Sequence, residues 1–179
     1  MSDLLGPGYI HVYTGNGKGK TTAALGLAFR AVGSGLKVLI VQFLKGEDNY
    51  TGELESALKL APDLEIRTRG GAGFVDPADP EPGAGEMVRE ALDEARREIQ
   101  SGRWDLVILD EINVAVHFGL IDVQEVLELL DSKPDGVEIV LTGRYAPLEL
   151  IERADLVTEM REIKHYFKAG VPARKGIEK

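Results

Sequence analysis

Tyr13-Thr-Gly-Asn-Gly-Lys-Gly-Lys-Thr-Thr22 lies between an apolar run, Tyr9–Tyr13, and a stretch with helical spacing, Thr21–Val32. Strand, glycine-rich turn, Gly-Lys-Thr and helix, in that order, are the context of a phosphate-binding P-loop. Glycines let backbone N–H groups converge on phosphate oxygens, and the helix N-terminus adds partial positive charge. Lys20 contributes a fixed cation, and the Thr21 hydroxyl is available to Mg²⁺. The candidate nucleotide-binding set is therefore Gly15, Asn16, Gly17, Lys18, Gly19, Lys20, Thr21 and Thr22. A glycine turn that only caps a helix is the plain alternative, and the strand-to-helix context weighs against it. The spacing departs from the usual pattern, since the position five residues before Gly19 is Thr14 and the nearest glycine, Gly15, is one step closer. Lys18 is a second cation inside the loop, suited to an extended anion or simply to solvent.

Outward from the loop, apolar runs bounded by turn residues alternate with helical patterns, the signature of βα units on a parallel sheet. The runs predict strands at Tyr9–Tyr13, Lys37–Phe43, Leu64–Thr68, Leu106–Leu109, Val137–Leu141 and Leu156–Met160. Helices are predicted at Thr21–Val32, along the spacing Met87, Val88, Ala91, Leu92, Ala95 and Ile99, at Val123–Leu130 and at Pro147–Ala154. The expectation is an α/β fold of the P-loop NTPase type, a mostly parallel sheet with helices on both faces, in one domain over residues 1–179. Two stretches break the short-connection rule. Residues 69–85 form a Gly/Pro-rich loop, either functional or disordered, and residues 164–179 form a tail, either a flap or a frayed end.

The run Trp104-Asp-Leu-Val-Ile-Leu-Asp-Glu111 ends in two carboxylates, where a P-loop protein holds its Mg²⁺ ligand. Adjacent strand residues point to opposite faces, so one of Asp110 and Glu111 is expected at the metal and the other at a neighbour. A solvated acidic pair is the alternative. Thr142-Gly-Arg144 follows the next strand at the same sheet edge, which makes Arg144 a candidate phosphate clamp or an ordinary surface arginine. His11, His117 and His165 lack metal-ligand spacing and receive no catalytic role. Phe74, in the glycine-rich loop, either covers a flat ligand or anchors the loop.

Composition narrows the classes of function. Twenty-one Lys and Arg against 30 Asp and Glu give a net charge of −9, which disfavours nucleic acid and anionic membrane as partners. The absence of Cys excludes thiol catalysis, thiolate metal sites and disulfides, and agrees with a reducing, cytoplasmic setting. Met1–Gly8 lacks a basic and apolar leader pattern, and no apolar run approaches the ~18 residues of a spanning helix, so the expectation is a soluble, unexported chain.

The chain resembles the P-loop ATP:corrinoid adenosyltransferases, also called cob(I)yrinic acid a,c-diamide adenosyltransferases. The likeness runs from Gly8–Ala24 through Val41-Gln-Phe-Leu-Lys-Gly46 and Leu106–Ile112. It continues through Leu141-Thr-Gly-Arg144, Ala154–Met160, Lys164-His165 and Gly176-Ile-Glu178. The short Gly-Asn-Gly-Lys-Gly-Lys-Thr-Thr loop is itself family-like. The resemblance implies transfer of the 5′-deoxyadenosyl group of ATP to the Co(I) of a reduced corrinoid, with triphosphate leaving. It implies Mg²⁺ held by Thr21 and Glu111, with Asp110 after them, and Asn16 facing the nucleoside. Lys20 and Glu111 are the implied catalytic pair, and Phe74 the corrinoid-facing aromatic, although Asp76 stands where some relatives have another aromatic. It also implies a flavoprotein or similar electron donor and the option of a homodimer. An ATP-hydrolysing switch and a non-catalytic nucleotide- or corrinoid-binding module are the alternative readings of the same motifs.

Overall fold

The computed structural model describes residues 5–46, 51–70 and 82–178. Among them the sheet has six strands in the order β3-β2-β4-β5-β1-β6, with β1 Ile10–Thr14, β2 Val38–Phe43, β3 Leu64–Arg69, β4 Leu106–Asp110, β5 Glu138–Thr142 and β6 Leu156–Glu159. Every pairing is parallel. The helices are α1 Lys20–Gly33, α2 Gly52–Leu60, α3 Ala84–Gln100, α4 Ile112–His117, α5 Val123–Asp131 and α6 Leu148–Arg153, followed by a 3₁₀ turn at Tyr166–Ala169.

Parallel strands need helical crossovers, which cover both faces of the sheet, and the central strands are accordingly aliphatic throughout. All of β2 and β4 is buried. The two-residue side-chain period then divides the core. Leu39, Val41, Phe43, Val107, Leu109, Ile139 and Leu141 pack on one face against α3 to α6. Val38, Ile40, Leu106, Ile108 and Val140 pack on the other against α1 and α2. On α1 the buried stripe is Lys20, Ala24, Ala28 and Ala31. Small alanines seat this helix against the sheet, and the same stripe continues to Lys20 at its first turn.

The expected strands appear with ends displaced by about one residue, as helix and strand ends usually are. Two helices were not anticipated. In α2 the one buried residue is Ala57 while Leu58 is largely exposed, so the apolar spacing carries no clear helical period. The other, α4, has only six residues. Helix α3 begins at Ala84, so the end of the Gly/Pro-rich stretch 69–85 is helical rather than loop. No helix among the described residues is long and apolar enough to cross a membrane.

Candidate active site

The C-terminal ends of β1, β5, β4 and β2 line one edge of the sheet, and register sets their side chains side by side. Tyr13 is level with Thr142, and Gln42 with Asp110. Gln42, Asp110 and Thr142 have no exposed surface. The Thr142 hydroxyl donates to Asp110 Oδ1 at 2.7 Å and accepts from the Glu111 backbone N–H at 3.0 Å. It thereby fixes both acidic residues at once.

The loop between β1 and α1 is shaped by contact with the end of β6. Gly17 donates its N–H to Met160 O at 2.7 Å, and Met160 donates to Thr14 O at 2.8 Å. A Cβ on Gly15 or Gly17 would lie 2.5 or 2.7 Å from the Met160 carbonyl oxygen, inside contact distance. Gly15 also has φ +95°, a conformation that glycine adopts freely. Not every glycine amide of the loop therefore faces a ligand, contrary to the simplest reading of the motif, because the Gly17 N–H is committed to β6.

Lys20, on the buried stripe of α1, donates to Gly15 O at 2.7 Å and Gly17 O at 2.9 Å. Burial lowers the pKa of its ammonium, while Glu111 and Asp110 pull it back up and Arg144 opposes them. Thr21, one residue on, donates its hydroxyl to Asp110 Oδ1 at 2.8 Å. Lys18 and Asn16 are exposed.

The two carboxylates do not divide between opposite faces of a strand as expected. The strand ends at Asp110, and Glu111 enters α4 with φ +68°, which breaks the alternation. Asp110 turns to the hydroxyls of Thr21 and Thr142, while Glu111 lines the crevice. Burial, and after it the neighbouring Asp110, raise the pKa of Glu111, against the pull of Lys45, Lys20 and Arg144.

Two adjoining cavities open here. One, ≈ 510 Å³, is lined by residues 16–22 together with Glu111 and Arg144 and, from the C-terminal segment, Glu162, His165, Phe167, Lys168 and Glu178. The other, ≈ 820 Å³, shares Lys18, Thr21, Thr22, Glu111 and Glu178 with the first and extends over Leu25, Phe29, Leu60 and Ile177. Both fall in the size range of small-molecule sites, on the order of 300–1,000 Å³. Arg144 lines the smaller cavity together with the loop residues. Phe74 lies outside the described residues.

Sequence reasoning missed several of the groups gathered here. Lys45 donates to Asp110 Oδ2 at 2.9 Å, and Gln42 Nε2 reaches Asp110 and Glu53, both at 3.3 Å. Both partners are carboxylate oxygens, which accept, so Gln42 presents its nitrogen to them and leaves Oε1 without a partner among the described residues. The signal available was position, because both residues stand at the C-terminal end of β2, the sheet edge that carries the other groups. The segment 162–178 was legible only as a tail. In the structure it borders the phosphate loop, and within it Tyr166 and Arg174 both bond to Glu178.

A parallel sheet with a Gly-Lys-Thr loop after β1, and a buried aspartate two strands away that binds the loop threonine, defines a P-loop nucleotide-binding protein. The chain belongs to the ATP:corrinoid adenosyltransferase family, BtuR/CobO/CobP, whose pattern matches residues 7–178. A corrinoid adenosyltransferase of Sinorhizobium sp is 42% identical over 172 residues, covering 96% of this chain and 80% of the relative. One from Escherichia coli K12 is 37% identical over 171 residues, 96% of this chain and 85% of the relative. The corrinoid adenosyltransferase CobA of Salmonella typhimurium is 35% identical over the same shares.

Proposed function

We propose that the chain transfers the 5′-deoxyadenosyl group of ATP to the cobalt of a reduced corrinoid and releases triphosphate, in the making or salvage of adenosylcobalamin. The electron pair of Co(I) forms the cobalt–carbon bond as the C5′–O bond breaks and its electrons leave with triphosphate. Cobalt is the nucleophile, so the protein needs no activated Ser, Cys or His. Its work is alignment of C5′ with cobalt and stabilisation of charge on the leaving group. Lys20 and the free loop amides meet that charge, Lys18 and Arg144 flank it, and Asn16, Gly19 and Thr22 border the nucleotide.

Mg²⁺ suits the oxygens present. The Thr21 hydroxyl and the Glu111 carboxylate are hard ligands, and Mg²⁺ is commonly bound by one or two protein oxygens together with phosphates and water. Asp110 already accepts from Thr21, Thr142, Lys45 and Gln42, the full capacity of its two oxygens, which favours Glu111 as the direct ligand and Asp110 as the group that orients Thr21. The ion supplies charge neutralisation on the phosphates.

The observation that carries this reading, beside family membership, is that the phosphate loop opens onto a second, larger and partly apolar cavity, room for a second substrate next to the nucleotide. An outside electron donor of the flavoprotein kind, a cytoplasmic location, contact of Phe74 with the lower corrin face, and the option of a homodimer belong to the same proposal.

The test is anaerobic product analysis with Mg²⁺ and ATP, with and without a prereduced corrinoid, resolving triphosphate from ADP and phosphate. Corrinoid-dependent triphosphate with a new cobalt–carbon absorbance is the expected result. Corrinoid-independent ADP and phosphate would make the protein an ATPase.

A further inference from the structure

Asp110 is fully buried, and a buried carboxylate needs a counter-charge as well as hydrogen bonds. Among the described residues Lys45 is the cation within ion-pair distance of it, at 2.9 Å. Lys20 bonds instead to the carbonyls of Gly15 and Gly17. The backbone is bent to make the Lys45 contact possible. Leu44 has φ +61°, an uncommon conformation for a branched side chain, and a Cβ on Gly70 would lie 2.7 Å from Lys45 N, so the turn is pressed against Gly70.

An ammonium carries three N–H donors. Lys45 gives one to Asp110, and Glu53, at 3.9 Å, is an ion-pair neighbour beyond hydrogen-bond reach. The side chain is mostly buried, yet it lines the larger cavity with Lys18, Thr21 and Glu111. A buried ammonium with donors to spare, beside a phosphate-binding loop, matches the needs of a polyanion.

We infer that Lys45 is an anion-binding residue of the crevice, held by Asp110 so that its ammonium meets the polyphosphate of the nucleotide from the side opposite the loop. The inference rests on the adenosyl-transfer reading and assigns it a second fixed cation beside Lys20. When the C5′–O bond breaks, the departing triphosphate gains negative charge, and Lys45 is placed by the β2 turn rather than by the loop. Asp110 gains a double role, as it positions both Thr21 and Lys45 through its two oxygens.

Calorimetric titration of inorganic triphosphate, ATP and adenosine, each with Mg²⁺, tests this on wild type, Lys45→Gln and Lys45→Arg. Glutamine keeps a donor for Asp110 and removes the charge. Lys45→Gln is expected to weaken triphosphate and ATP by about tenfold or more, the scale of a lost charge-assisted hydrogen bond, and to leave adenosine within about twofold. Lys45→Arg is expected to recover most of the triphosphate affinity. Wild-type triphosphate affinity in Lys45→Gln overturns the inference, and so does an equal loss for all three ligands, which reports a disturbed site rather than a missing charge. If Lys45→Gln does not fold, the double variant Lys45→Gln/Asp110→Asn, which leaves no buried carboxylate without its counter-charge, is set against Asp110→Asn alone and carries the same comparison. A wild-type protein that binds neither ATP nor triphosphate overturns the adenosyl-transfer reading itself, whereas normal wild-type binding with an unaffected Lys45→Gln removes Lys45 alone.

Discussion

Gly17 donates its backbone N–H to the carbonyl oxygen of Met160 at 2.7 Å, so the phosphate-binding loop is anchored to the outermost strand of the sheet. The anchor leaves no room for a side chain, because the Cβ of an alanine at position 17 would stand 2.7 Å from that same oxygen. Neither atom is a flexible side-chain end, and the loop has to move. Gly17→Ala is expected to lose ATP affinity by about tenfold or more and to cost about 1–3 kcal/mol in stability, the usual range for overpacking. Urea denaturation and ATP titration of the purified variant check both. Unchanged affinity would show that the loop binds nucleotide without its β6 contact.

Thr142 offers a cleaner probe of the acidic pair than either carboxylate does. Valine matches its shape but removes the hydroxyl that donates to Asp110 and accepts from the Glu111 N–H. Thr142→Val is expected to destabilise the fold by about 1–3 kcal/mol, the cost of leaving buried polar groups unpaired. It is also expected to weaken ATP binding more in the presence of Mg²⁺ than in its absence. Parallel titrations with Mg²⁺ and with a chelator decide this, and an equal loss in both would detach Thr142 from the proposed Mg²⁺ site.

Under the proposed contact with the lower corrin face, Phe74 bears on reduction rather than on nucleotide binding. A cobalt that keeps an axial ligand resists reduction, and an apolar ring on the lower corrin face displaces that ligand. Phe74→Ala is expected to keep near-normal rates with chemically prereduced Co(I) and to be impaired when Co(II) is supplied with a protein reductant. Similar rates in the two assays, relative to wild type, would remove Phe74 from that role.

Acid stability should depend on Glu98. Burial raises its pKa, but hydrogen bonds from Trp104 at 2.8 Å and Arg67 at 2.9 Å, together with Arg103, outweigh it and hold the carboxyl at about 2. A depressed folded-state pKa contributes stability above the ordinary carboxylate value of about 4.3, and that contribution is lost as pH falls from there towards 2. Glu98→Gln is expected to be less stable than wild type at pH 7 and to lose less on acidification. Thermal midpoints at pH 7 and pH 3 measure the difference, and parallel loss in the two proteins would remove Glu98 from the acid transition.

The sheet was legible in the sequence because its strands are aliphatic runs closed by turn residues, and buried parallel strands require that composition. The sheet edge shared by Lys20 and Thr21, which open α1 after the glycine loop, and by Asp110, Glu111 and Arg144, at or just past strand ends, was legible because motifs and strand ends are local patterns. Helix α2 was not, since Ala57 alone of its residues is buried and the remainder follows no period. Lys45 was missed for another reason. It reaches Asp110 through a left-handed turn at Leu44 and close packing on Gly70, relations that no spacing rule encodes. The C-terminal segment approaches the loop from more than 140 residues away in the chain, where local pattern carries no information.

The placement of β1 also sets an order of assembly. Its two strand partners, β5 and β6, follow the other described strands in sequence, so the residues of the phosphate loop can pair only after a long stretch of chain has been synthesised. A nascent chain that has not yet released Met160 lacks the backbone contact that shapes the loop. Such long-range closure is slow compared with local helix formation. The loop geometry thus depends on a contact between segments far apart in the sequence, and it is set only once both have been made.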